Sequence, residues 1–180
     1  MFKGNKILVT YASAYGSTAE VAHKIGKYFT EQGSVVEVLR STEITNISQY
    51  DVVVVGSPIR YEHWMPEARA FVIKNQEHLS KVHVAYFFCC LALAIRTEDT
   101  ESKARQYADK LYALSSQVRP LSIGCFAGVL DYSKMPLPLR YIFKIFSAII
   151  GLKEGDYREW REIQQWTKDV AGKIGSDLRD

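Results

Sequence analysis

The sequence predicts a doubly wound α/β domain: five parallel strands in the order 2-1-3-4-5, helices on both faces, and an amphipathic insert before the last helix. Three observations carry this. Short β-rich runs alternate with longer runs of helical period, the pattern of consecutive βα units. The four valines at 52–55 have no polar alternation, so their strand must be covered on both faces. The number of strand–helix units, five, suits the 2-1-3-4-5 order.

Lys6–Ala12 (KILVTYA) reads as a buried strand. Ser17–Gln32 reads as a helix: Val21, Ile25, Tyr28 and Phe29 share one face and Gly33 supplies the stop. Ser34–Arg40 is the second strand and Tyr50–Ser57 the third. Pro66–His78 is helical, with proline in its first turn. Lys81–Cys90 is a doubly buried strand, Glu101–Gln117 a helix, and Pro120–Gly128 the fifth strand. Tyr157–Ile174 closes the pattern, with Trp160, Ile163, Trp166 and Val170 at helical spacing.

The segment 131–157 is longer than the connection such a fold needs. Within it, Pro138–Gly151 carries two apolar rows, Tyr141, Ile145, Ile149 and Ile142, Phe146, Ile150, with Arg140 and Lys144 beside them. It is too short to span a bilayer. Three roles stay open: an interfacial membrane helix, a cover over a hydrophobic substrate, or a helix packed on the domain or in a homodimer.

Length fits one domain over 1–180, and the 47% hydrophobic and 24% charged composition is ordinary for a globular chain. The net charge of +3 does not call for nucleic acid, and no basic run is interleaved with aromatics. The N-terminus lacks the long apolar region of a signal peptide. Three cysteines, with Cys89 and Cys90 adjacent, make no disulfide framework. These features predict a cytoplasmic setting, with peripheral contact to the inner face of a membrane through 137–151, and no metal.

In this fold class ligands bind beyond the carboxyl ends of the strands, where strand order reverses. That selects 13–18, 57–64, 90–97 and 128–133. In the first, "SAYGST", a helix begins, Gly16 permits close backbone approach, and Ser13, Ser17 and Thr18 carry hydroxyls, a set suited to phosphate. Capping of the helix by Ser13 or Ser17 explains the same residues. The triphosphate loop G-x-x-x-x-G-K-[ST] and the dinucleotide fingerprint G-x-G-x-x-G are absent from this turn. Acidic strand ends, which a phosphorylated receiver needs, are absent too.

"SAYGST" resembles the flavodoxin phosphate loop, [ST]-x-T-G-x-T, with Tyr15 in place of the usual threonine. The resemblance implies FMN, its phosphate held without a cation by Ser13, Ala14, Tyr15, Gly16, Ser17 and Thr18. It also implies a flavin ring gripped by Ser57, Pro58, Ile59, Arg60 and Tyr61 on one side. Cys90, Leu91, Ala92, Leu93, Ala94 and Arg96 would take the other. Tyr61, His63 and Trp64 are the stacking candidates, Trp64 having the alternative of packing on the helix that follows. Arg60 and Arg96 would favour the anionic reduced ring. His63 is the acid–base candidate by type.

Three segments, "SPIRYEHW", "FAGVLDYSKMP" and the insert, are similar to the menaquinone-dependent protoporphyrinogen oxidase branch of the flavodoxin superfamily. Pro58 lengthens that branch's S-I-R-Y-G-H loop, Glu62 replaces its glycine, and the 90s loop lacks its denser basic run. The similarity implies an FMN-dependent oxidoreductase passing two electrons from a reduced substrate to a quinone or another hydrophobic small molecule. The alternative is a flavodoxin-type carrier serving a redox protein.

Overall fold

The structure, a computed structural model, describes residues 4–149 and 151–177. Along the chain run β1 (Lys6–Tyr11), α1 (Ser17–Glu31), β2 (Val35–Arg40), β3 (Val52–Arg60) and β4 (His63–Trp64). Then come α2 (Pro66–Lys74), α3 (Gln76–Leu79), β5 (His83–Cys90), α4 (Glu98–Tyr112), β6 (Ile123–Ala127) and β7 (Val129–Leu130). α5 (Leu137–Ile149), β8 (Gly155–Asp156) and α6 (Trp160–Asp177) complete it. The parallel sheet has the order β2-β1-β3-β5-β6, which is the predicted 2-1-3-4-5 arrangement of the five main strands.

The valine run does what its lack of alternation requires. Val52 and Val54 join Ile7, Val9, Val21, Ile25, Phe29, Phe87 and Ile163 in the core under α1 and α6. Val53 and Val55 join Leu8, Trp64, Phe71, Tyr86, Phe88 and Leu111 in the core under α2 and α4. All four valines are fully buried, because each face of β3 has its own helical layer. Gly56 ends the run because the ring of Phe87 lies where a Cβ would stand, 1.9 Å from it.

Element boundaries shift from expectation, and three of the shifts have a visible cause. The helix from Pro66 divides at Asn75, whose side-chain amide and backbone N–H both donate to the Phe71 carbonyl. α4 starts at Glu98, because Thr97 and Thr100 form a reciprocal cap, and it ends at Tyr112. β3 continues past Ser57 to Arg60 and turns back into β4, pairing Ile59 with Trp64 and Arg60 with His63.

The insert leaves and returns at one place: β7 and β8 pair antiparallel, Val129 opposite Asp156. Between them the segment packs on itself. The Tyr132 hydroxyl and the buried Ser147 hydroxyl share a hydrogen bond. The Tyr132 N–H donates to Glu154, and Arg140 donates to the Ser133 carbonyl. Ile150 lies outside the described residues.

Candidate functional site

A cleft of about 290 Å³ opens at the carboxyl edge of the sheet, beyond the ends of β1 and β5 and beside the β3–β4 hairpin. Its lining comes from four places: Ala14, Tyr15, Ser17 and Thr18; Pro58 to Tyr61; Cys89 and Leu91; and Gly128 with Val129. Met135, Leu139 and Phe143 of the insert close the remaining side.

The first wall is the turn from β1 into α1. Gly16 holds φ 93°, a left-handed conformation that glycine adopts without the penalty a side chain brings. It is the N-cap of α1 and offers no side-chain acceptor. Its own N–H donates to the Ser13 hydroxyl, 3.1 Å away, so Ser13 stabilises the turn from behind. The first-turn amides of α1 therefore have no side-chain cap, and an anion is their natural partner.

The second wall is the β3–β4 hairpin. Its turn residues Tyr61 and Glu62 have φ 49° and 66°, unusual for residues with side chains. Long-range bonds hold them: Tyr107 donates to the Glu62 carboxylate at 2.9 Å and Lys110 to the Glu62 carbonyl at 3.2 Å. Ser57 is fully buried, accepting from the Met65 N–H and donating to the Pro58 carbonyl. It braces the hairpin rather than lining the cleft.

Arg60 sits between two aromatic rings, its guanidinium carbon 5.3 Å from the Tyr15 ring centre and 5.7 Å from that of Tyr61. Among the described residues no carboxylate pairs with it. Tyr15 thus stands at the rim, facing Arg60.

Of the sequence candidates, the cleft brings together Ala14, Tyr15, Ser17, Thr18, Pro58, Ile59, Arg60, Tyr61 and Leu91. It does not bring in Arg96, which pairs with Glu162 of α6 and points that way. His63 lines a different cavity, of about 360 Å³, on the far side of the hairpin with Arg69, Tyr107 and Lys110. Trp64 is 2% exposed and packs edge-on against Tyr86 in the core, the packing alternative for this residue. Ala92 to Ala94 form a 3₁₀ turn outside the lining, with Leu93 buried in the core. Cys90 also lies outside it.

Sequence reasoning did not place Cys89 at the cleft, and it left a covering role for the insert open without naming Met135, Leu139 or Phe143. Alternation along β5 offered a signal for the cysteines: Cys89 and Cys90 point to opposite faces of the sheet and belong to different cores. Burial pushes the Cys89 thiol up to about 12 and raises that of Cys90; the Cys125 thiol rises to about 11. Such thiols are not thiolates near neutral pH, so they are packing residues. A stability consequence follows. The folded protein holds these groups neutral, so their contribution is complete below the ordinary thiol pKa of about 8.5 and is lost as pH rises towards the folded values. The urea midpoint is expected to be level between pH 7 and 8 and to fall from about pH 9 upward, and a Cys89→Ala/Cys125→Ala pair should flatten that fall.

Comparison with known proteins fits this geometry. The profile of the flavodoxin domain matches residues 8–154.

The chain belongs to the flavodoxin-domain family.

Within that family setting, it is 27% identical to the protoporphyrinogen IX dehydrogenase [quinone] of Escherichia coli K12, over 92% of this chain and 94% of the relative. Among solved structures, the Megasphaera elsdenii flavodoxin superposes with a TM-score of 0.57 at 16% identity, covering 93% of this chain and 98% of the other. Rubredoxin oxygen:oxidoreductase of Desulfovibrio gigas superposes with a TM-score of 0.60 at 12% identity, covering 99% of this chain and 38% of that longer one. These structural likenesses establish the flavodoxin fold. Among the described residues no helix is long and apolar enough to cross a membrane.

Proposed function

We propose that this chain is an FMN-dependent oxidoreductase that passes electrons from a reduced substrate to a quinone. One observation carries the reading: a single cleft joins an uncapped helix N-terminus to a largely apolar slot. FMN has that division, a phosphate at one end and a flat ring at the other, so the residues present fit it. The α1 amides, with Ser17 and Thr18, would take the phosphate. Pro58, Ile59, Tyr61, Leu91 and Val129 would take the ring. Bound FMN supplies the capacity to accept and return electrons.

The chain's own residues do the rest. Arg60 puts a cation, with no carboxylate partner among the described residues, on the cleft wall, which favours a reduced flavin carrying negative charge. Leu139 and Phe143 of α5 turn apolar side chains into the cleft and exclude water. The opposite face of α5 leaves Leu137, Tyr141, Ile142, Ile145 and Ile149 between 62% and 77% exposed. Lys144 lies on the same helix and Lys134 just before it. An apolar helix face with basic neighbours suits an anionic bilayer surface, where a quinone is dissolved.

The similarity to a quinone-linked protoporphyrinogen IX dehydrogenase over nearly the full length of both chains supports the quinone as acceptor. The test is anaerobic. The FMN-loaded protein is reduced, and a menaquinone analogue is added. Stoichiometric reoxidation within the mixing time is the expected result. No reaction with quinone, together with rapid exchange with a reduced or oxidised ferredoxin-type protein, would replace the enzyme reading with an electron carrier.

A further inference from the structure

The walls of the cleft come from segments far apart in the chain, and one buried cation joins two of them. Arg158 lies two residues beyond the end of β8, and its side chain is only 7% exposed. Its Nη1 donates to the Ser17 carbonyl in the first turn of α1, at 3.0 Å. Its Nε and Nη2 donate to the two oxygens of Asp156 at 2.8 and 2.6 Å. Nη2 also pairs with Glu20 at 2.8 Å, and the guanidinium lies 4.5 Å from the Trp160 ring centre. Burial works against its charge, and the bonds from Asp156 and Glu20 more than offset that. Asp156 pairs in register with Val129, and the Tyr157 N–H donates to the Gly128 carbonyl. Gly128 and Val129 line the cleft together with Ser17 and Thr18 of the α1 turn.

The sum of charges excludes a simple role as a phosphate cation. One guanidinium faces two carboxylates, so the cluster is net negative, and four of its five N–H donors already have partners in Asp156, Glu20 and Ser17. We propose instead that Arg158 is a positioning residue, a clasp that fixes the first turn of α1 to the base of the insert and so sets the spacing of the two walls that receive FMN. This rests on the FMN reading above. By linkage, a ligand that needs both walls in place should also tighten the clasp. Cofactor retention and the seating of the insert then form one equilibrium. A lysine cannot reproduce the arrangement, because its single ammonium cannot form the planar fork that reaches Asp156 and Ser17 together.

The test uses the full chain. FMN affinity is measured by quenching of flavin fluorescence for wild type, Arg158→Lys, Arg158→Met and the charge-balanced triple variant Glu20→Gln/Asp156→Asn/Arg158→Met. Hydrogen exchange at 128–130 and 155–157 is followed with and without FMN. Arg158→Met is expected to bind FMN at least tenfold more weakly, Arg158→Lys to fall between, and the triple variant to stay weak. FMN should slow exchange at both segments in wild type and not in Arg158→Met. Should Arg158→Met fail to fold, Arg158→Lys carries the comparison. Unchanged affinity in the folded variants, or recovery in the triple variant, overturns the clasp; recovery would mean that Arg158 only neutralises charge. A wild-type chain that takes up no FMN overturns the cofactor reading itself, and the clasp's role with it.

Discussion

Gly16→Val is expected to weaken FMN binding by roughly tenfold, and Gly16→Ala by nearly as much. The reasoning separates conformation from crowding. A Cβ at Gly16 meets no heavy atom within 4 Å, so the alanine methyl clashes with no neighbour. The penalty comes from φ 93° alone, a left-handed conformation that costs an L-residue about 1–2 kcal/mol. Where the free chain relaxes φ, binding must restore the strain, and about 1.4 kcal/mol is a factor of ten in affinity. A chain that avoids the cost by relaxing φ rotates the first-turn amides of α1 away from the cleft, and the affinity is lost by that route. Alanine carries most of the effect because it already has a Cβ. A flavin fluorescence titration of both variants decides the matter. Wild-type affinity in both would mean that this turn does not hold the phosphate.

The second large effect belongs to the outer face of α5. Ile142→Glu with Ile145→Glu should reduce partition onto phosphatidylglycerol-containing vesicles by about a hundredfold. The two side chains are 62% and 66% exposed, and burying them in lipid would contribute roughly 3 kcal/mol together. The introduced carboxylates add repulsion from the anionic surface. Neither residue lines the cleft, so the FMN titration of the variant should match wild type. Vesicle flotation that does not change would remove the membrane role of this face. A wild-type dimer in sedimentation that the substitutions convert to monomers would assign the face to a second copy of the chain.

Much of the fold could be read from local pattern, because local pattern is what determines it. The valines at 52–55 reveal two covered faces without any knowledge of what covers them, and Val21, Ile25 and Phe29 show which side of α1 turns inward. The turn at Gly16 could be read for the same reason: Ser13 and Gly16 bond within one short window. The rest depends on partners that the local sequence does not show. Arg96 looked like a ring-side cation because its neighbours say nothing of Glu162, 66 residues on. The hairpin at Tyr61 and Glu62 contains no glycine or asparagine to mark its left-handed turn; what holds it is Tyr107, 45 residues away. Arg158 reaches Ser17 across 141 residues, and nothing beside it in sequence marks it as different from any other arginine before a helix.

The antiparallel pair of β7 and β8 has a consequence for how such a fold can diversify. It forms a splice junction: the chain departs at Leu130 and rejoins at Gly155, on paired strands. Added length between them costs little in loop-closure entropy, about 0.6 kcal/mol for each doubling. A lineage can therefore exchange, shorten or delete the intervening module while the sheet and the α1 turn keep their shape. The part most open to replacement is also the part that roofs the cleft, so the roof can be remodelled while the walls formed by the α1 turn and the β3–β4 hairpin are kept.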